Sequence, residues 1–227
     1  MTTDDAAIVR LSLWVALWAT IVSLPLAVAV AALLSRGRFW GKSLVNGVVH
    51  LPLVLPPVVT GYVLLRLFGR HGPVGAVLEQ WFGIVLAFRW TGAALAAAVM
   101  GFPLMVSAIR VALDSVDHRL EESARTLGAN RVWAFLTVSL PLVGPGVASG
   151  MVLAFAKALG EFGATITFVS NIPGETQTLA LAIYTLTQAP GGDQRALRLV
   201  LLSVALSFAA LIGSELLMRR ARRVGRR

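Results

Sequence analysis

The sequence predicts an all-α integral membrane protein with five spans, six if one short apolar stretch also enters the bilayer. Three observations carry that expectation. The 227 residues are 57% hydrophobic and 14% charged, with a mean hydropathy of +0.78. A soluble domain of this size cannot bury so much apolar side chain, whereas lipid solvates it. Uncharged runs long enough to cross a hydrocarbon core recur along the chain, and one long charged interruption, residues 117–141, stands between the third and the fourth of them.

Residues 11–34 hold no charge; as a helix they rise about 36 Å, enough to cross with tilt. Arg36, Arg38 and Lys42 follow. The second span, residues 43–65, contains His50, Pro52, Pro56 and Pro57. So many prolines do not fit a straight helix, which predicts a kink or an unwound segment near Pro56 and Pro57. Residues 70–83 read as a linker. The third span is 90–109, with Pro103 inside it, the fourth runs from 141 to 162, and the fifth covers 199–218. Between the last two lie a polar cluster at 170–176 and an apolar stretch at 179–186. That stretch is too short to span and is expected at the outer interface or dipping into it. The whole chain, 1–227, reads as a single transmembrane domain.

The net charge is +9, and of the 20 Lys and Arg residues 13 fall in 36–42, 110–131 and 219–227, after spans one, three and five. Arg66, Arg70, Arg89, Arg195 and Arg198 fall on the opposite side. The positive-inside rule then puts the N-terminus outside, and the charged loop and the C-terminus in the cytoplasm. The same clustering after spans argues against nucleic acid as the partner of this basic chain. There is no cysteine, which excludes disulfides and thiolate metal sites. A cleavable signal peptide is not expected, because the first apolar run is long and follows Asp4 and Asp5.

Within the charged interruption, Asp117 is a helix N-cap residue whose carboxylate can take a free N–H of the first turn. Leu120, Ala124 and Leu127 recur at helical spacing and form one apolar face. Glu121 and Arg125 lie four apart on the polar side, in the favourable order. Gly128 is placed to end the helix in a left-handed conformation, and Pro141 opens the next apolar run. The stretch predicts a short amphipathic helix, a tight turn at Gly128-Ala129, and re-entry into the membrane.

This loop resembles the EAA loop of ABC-importer permeases, in which Glu-Ala-Ala, three residues, Gly, nine residues and Ile-x-Leu-Pro follow in order. Here Glu122-Ser123-Ala124 precedes Arg125-Thr126-Leu127 and Gly128, and Val138-Ser139-Leu140-Pro141 closes the motif. Ser123 for Ala and Val138 for Ile are conservative departures. The stretches 51–65, 101–110 and 158–184 are similar to the molybdate permeases of that family. Gly160-Glu161-Phe162-Gly163-Ala164-Thr165, taken with Ile172-Pro173-Gly174-Glu175-Thr176, points to the oxyanion branch, within which tungstate and sulfate or thiosulfate permeases look alike. The resemblance implies a type I ABC-importer permease fold, homodimeric and multi-pass in the cytoplasmic (inner) membrane. It also implies a coupling loop over 111–140, two cytoplasmic ATP-binding subunits (ModC-like) and an extracytoplasmic molybdate-binding protein (ModA-like). No cofactor is expected on this chain, ATP and Mg being held by the partner ATPase. In agreement, the chain carries no Gly-rich phosphate loop ending in Lys-Ser/Thr. The resemblance casts Glu121, Glu122, Ser123, Ala124, Arg125 and Gly128 as the contact with the ATPase.

Lys157 and Glu161, four apart in the fourth span, are costly in lipid and should pair or face a cavity. They read equally as the mouth of an anion pathway and as a structural ion pair. Thr165, Thr167, Ser170 and Asn171, with Thr176, offer donors to a tetrahedral oxyanion or form an ordinary polar loop. Gly146 and Gly150 make a small-residue face for close helix packing. His50 reads as a hydrogen-bonded core histidine. Two other classes remain in view. An ion-coupled secondary transporter predicts inverted repeats and a series of intramembrane carboxylates, neither of which is evident. An intramembrane enzyme or scaffold would want a catalytic pair inside a span, for which His50 alone is poor material.

Overall fold

A bilayer offers the backbone no water, so each crossing segment must satisfy its own amides by coiling. The computed structural model describes residues 3–37 and 39–224, and all regular structure among them is helical. Arg38 and residues 225–227, counted above with the basic groups, lie outside the described residues. Among the described residues three helices are long and apolar enough to cross by themselves, and the count reaches five if each of two bent pairs is one span.

The first is α1, Thr3–Arg36. Its 34 residues rise about 51 Å, longer than the hydrocarbon core of about 30 Å, so both ends emerge. The expected kink is a break: α2 (Lys42–Val54) and α3 (Pro57–Phe68) meet at 113°. Leu55 is extended, at φ −69° and ψ 144°, because a residue before proline is pushed out of the helical region. Pro57 then starts α3, where its missing N–H costs nothing. Next come α4 (Pro73–Phe82) and the central helix α5 (Trp90–Asp114), whose Gly92, Ala93, Ala96, Ala97, Met100, Met105 and Ile109 are buried. The charged loop supplies α6 (His118–Thr126) and α7 (Arg131–Ala134).

A π-helical turn, Phe135–Ser139, follows α7, with the Leu140 amide bonded to the Phe135 carbonyl. Pro141 has no amide to return to its own turn, and the widened turn absorbs the mismatch. After the short α8 (Leu140–Leu142) the chain bends by 72° into α9 (Gly144–Leu159). The fourth span was expected from 141 to 162. Instead α9 starts at Gly144, stops at Gly160 and resumes as α10 (Gly163–Val169), a buried half-helix where the sequence suggested loop. The fifth span also starts earlier than its apolar window: α12 runs Asp193–Val224. Its first turn is held by Arg195, whose Nε lies 2.9 Å from the buried Asp5 carboxylate on α1. The short stretch at 179–186 is α11 (Leu179–Gln188), with Leu179 and Ala182 packed between Ile8 and Leu199. Its first amide, Leu179 N–H, donates to Ser12 Oγ at 2.7 Å.

Packing rests on small residues. A Cβ on Gly101 would sit 3.1 Å from the Ala154 carbonyl oxygen, and one on Gly150 would sit 3.0 Å from that of Met105. Gly146 faces Ala112 closely enough that a Cβ would clash. This ladder brings α9 against α5 backbone to backbone. The Asp5–Arg195 pair puts the start of α1 and the start of α12 at one end of the molecule, and Arg36, at the other end of α1, meets α6.

Overpacking this ladder is expected to cost about 1–3 kcal/mol. Gly150→Leu should therefore lower the melting temperature of the detergent-purified protein, or abolish its folded yield. Gly47→Ala, on an open face with nothing within 4 Å, should leave the melting temperature unchanged or raise it; equal effects of the two would contradict the backbone contact.

Candidate functional site

The charged loop is built from local signals. Asp117 Oδ1 accepts the Arg119 amide at 2.9 Å, capping α6. At the other end Gly128 takes φ +97°, and its amide reaches the Arg125 carbonyl at 3.0 Å while Ala129 N–H reaches that of Ala124 at 3.1 Å. Asn130 then caps α7 through Trp133 N–H at 2.8 Å. The helix stands off the body with its apolar residues uncovered: Leu120 is 47% exposed and Leu127 89%. Glu122, Ser123 and Arg125 are exposed, and Ala124 is half-buried.

Glu121 differs from its neighbours. Periodicity put it on the polar side beside Arg125, but the structure turns it inward. Its Oε1 lies 3.1 Å from Arg36 Nη2 and accepts a hydrogen bond from the hydroxyl of Ser139. Arg36 Nη1 is also 2.8 Å from His118 Nε2, and Ser35 donates to Asp114 at 2.5 Å. A cavity of about 370 Å³ opens beside this junction, bordered by Arg36, His118, Glu122, Arg125 and Arg131.

Lys157 and Glu161 meet at the break between α9 and α10. Lys157 Nζ donates to Glu161 Oε2 at 2.7 Å, and the Ala164 amide donates to Oε1 at 3.0 Å. Glu161 is 2% exposed and Lys157 31%, so the carboxylate is interior while its cation reaches the surface of the chain. Thr165 is buried on α10, and Thr167 returns its hydroxyl to the Gly163 carbonyl at 2.9 Å; both belong to a helix rather than to a loop. Ser170, at φ +62°, ends that helix. Asn171 donates to Thr185 Oγ1 at 2.5 Å, and Thr176 Oγ1 takes the Ile172 amide at 2.8 Å. The structure thus gathers Lys157, Glu161 and α10 at one break and sets Ser170 and Asn171 in a turn beyond it, where Asn171 Oδ1 is buried without a hydrogen-bond partner. Gly61 on α3 faces Ala164, and Gly163 faces Pro57, so the break after α9 packs on the break after α2.

His50, expected to be a hydrogen-bonded histidine, has partners that sequence reasoning did not name. His50 Nε2 is 2.9 Å from Ser107 Oγ, and its Nδ1 is 2.8 Å from the Asn46 carbonyl. Arg110 Nη1 donates to Asn46 Oδ1 at 3.0 Å. The signal was available: Asn46 and His50 are four apart on α2, and Ser107 and Arg110 three apart on α5, each pair sharing a helix face. Among the described residues no cluster of His, Asp or Glu could hold a metal ion. At the opposite end of the molecule from α6, a cavity of about 780 Å³ is lined by Arg10, Trp14, Trp90, Gln177 and Arg195 among others.

A family model described as a binding-protein-dependent transport system inner membrane component matches residues 23–223. The chain is 57% identical over 227 residues to the molybdenum transport system permease protein ModB of Escherichia coli strain K12, covering 100% of this chain and 99% of that protein. It is 54% identical over 216 residues to ModB of Haemophilus influenzae, covering 95% and 94%. A chain of a bacterial ABC transporter involved in the import of the acidic polysaccharide alginate matches with a TM-score of 0.75, over 97% of this chain and 80% of that one. At 16% identity that likeness is one of fold.

Proposed function

Since the chain belongs to the family of binding-protein-dependent transport system inner membrane components, we propose that it is the membrane-spanning subunit of an ATP-driven molybdate importer. The observation that carries this reading is the end-to-end similarity to molybdenum transport system permeases. The protruding, apolar-faced α6 adds a physical reason, because Leu120 and Leu127 stay uncovered on the chain by itself. One transmembrane domain spans 1–227, and residues 111–140 form its coupling loop. Two copies pair in the cytoplasmic membrane. Two ATP-binding subunits of the ModC type hold ATP and Mg and carry out hydrolysis, and a ModA-type binding protein delivers the oxyanion from outside.

In this reading Glu122, Ser123, Ala124 and Arg125 meet the ATPase, and Gly128 makes the turn that lets α6 protrude. Lys157 attracts the dianion near the break between α9 and α10. Its pairing with Glu161 keeps that attraction weak enough for release, since a carboxylate competes for the same ammonium. The N-terminus lies outside and the loop and C-terminus inside, supported by the basic clusters.

Three outcomes test the reading. Deleting the gene should abolish high-affinity molybdate uptake, measured as cell-associated metal, with tungstate competing and sulfate not; intact molybdate uptake with lost sulfate uptake would place the chain in the sulfate branch. Gly128→Val should cost about 1–2 kcal/mol at a left-handed position and tilt α6. With Glu122→Lys it should leave an inserted protein that no longer co-purifies with the ATPase, and normal ligand-stimulated hydrolysis in both variants would refute the coupling role. In spheroplasts an impermeant thiol reagent should label Glu175→Cys and spare Trp40→Cys, and the reverse pattern would invert the topology.

A further inference from the structure

The inward turn of Glu121 has a mechanical meaning. One carboxylate joins three segments: the last residue of α1 through Arg36, α6 through its own backbone, and the end of the π-helical turn through Ser139. The π-helical turn leads through α8 into α9, which lies on α5 along the glycine ladder. α6 itself packs on the π-helical turn and α7, while its Leu120 and the capping Leu127 stay exposed. The pair is well shielded, with Arg36 16% and Glu121 19% exposed, and Ser139 is fully buried. A guanidinium stays charged at any working pH, and here its Nη2 meets Glu121 Oε1 at 3.1 Å as an ion pair that lacks hydrogen-bond alignment. In a partly desolvated site such a contact is stiffer than a surface ion pair. Arg36 also sits at the C-terminus of α1, where the helix dipole favours a cation. The end of α1 is bound further to the α5–α6 junction by Ser35–Asp114 and Arg36–His118.

We propose that Arg36 and Ser139 are positioning residues that act through Glu121 to make the coupling helix one rigid unit with the end of α1 and the π-helical turn that leads into α9. A displacement of α6 by the ATPase then moves two membrane helices together instead of bending the loop. Glu122 touches the ATPase; Glu121, one residue away, faces the membrane domain and passes the movement on. This rests on the importer reading, but not on the identity of the anion.

The experiment uses the full complex, this chain with its ATP-binding subunit, in proteoliposomes with binding protein and molybdate. Both ATP hydrolysed and molybdate imported are measured, because their ratio reports transmission and a merely structural contact would not move it. Arg36→Gln is expected to keep the ATPase bound and hydrolysing while molybdate imported per ATP falls about three- to tenfold, the range that substitutions in coupling elements produce. Arg36→Glu should be worse, Ser139→Ala milder, and Arg36→Glu combined with Glu121→Arg should recover the ratio in part, because the ion pair is restored while the Ser139 hydrogen bond and the favourable helix-end charge are not. An unchanged ratio in Arg36→Gln would overturn the proposal. So would an Arg36→Gln complex that fails to assemble while the charge-swapped one assembles and remains uncoupled, since the pair would then be a folding staple only. Wild-type vesicles that hydrolyse ATP and import tungstate or sulfate but no molybdate would instead refute the substrate reading, and the ratio is then read with the transported anion.

Discussion

The close crossing of α5 and α9 is the constraint on which the rest of the structure depends. Lipid is as apolar as a leucine-rich core, so burying large side chains gives helices in a bilayer little reason to associate. What remains is close contact, and Gly101, Gly146 and Gly150 allow it by removing the Cβ atoms that would hold the backbones apart. With that contact in place, α1 lies along both helices, and Ala16, Ala19, Ala27 and Ala31 are small residues among its buried hydrophobics. Each larger residue on the ladder would push a whole helix outward, not just its own side chain.

Close packing leaves little room for irregular backbone, and the chain places its irregularities where they support one another. The break at Leu55-Pro56 and the break at Gly160 meet through Gly61, Ala164, Gly163 and Pro57. Backbone groups freed at one of them find a side chain at hand: Glu161 takes the Ala164 amide as well as the Lys157 ammonium. This explains how a carboxylate can be almost fully buried in a membrane protein, since both its oxygens are occupied and one partner is a cation. A transporter gains from such a place, because two half-helices can tilt about a break where a continuous helix would have to bend.

The charged loop of α6 and α7 shows the same economy in charge. Of two adjacent glutamates, Glu122 is solvated and free for a partner, while Glu121 is shielded and tied to Arg36 and Ser139. Successive residues on a helix point about 100° apart, so one turn presents one glutamate to the membrane domain and the next to solvent. The π-helical turn before Pro141 contributes by bringing Ser139 inward to meet the carboxylate.

Signals confined to neighbouring residues were legible in the sequence. The apolar runs determined the helical membrane class and the rough places of the apolar helices but not their breaks or ends, Pro56 and Pro57 located the break in the second, and Asp117 and Gly128 bounded α6, because caps, turns and proline act through the few residues beside them. The EAA spacing identified the loop. Tertiary structure alone decided which way Glu121 faces, that α10 is a buried half-helix, and that His50, Ser107, Asn46 and Arg110 form one network. Periodicity tells which residues share a face, but not what that face meets. In a membrane protein an apolar face can meet lipid or helix, and a polar one water, a partner subunit or an arginine on a distant helix. Arg36 and Glu121 are far apart in the chain, and only the packing of α1 beside the loop brings them to 3.1 Å.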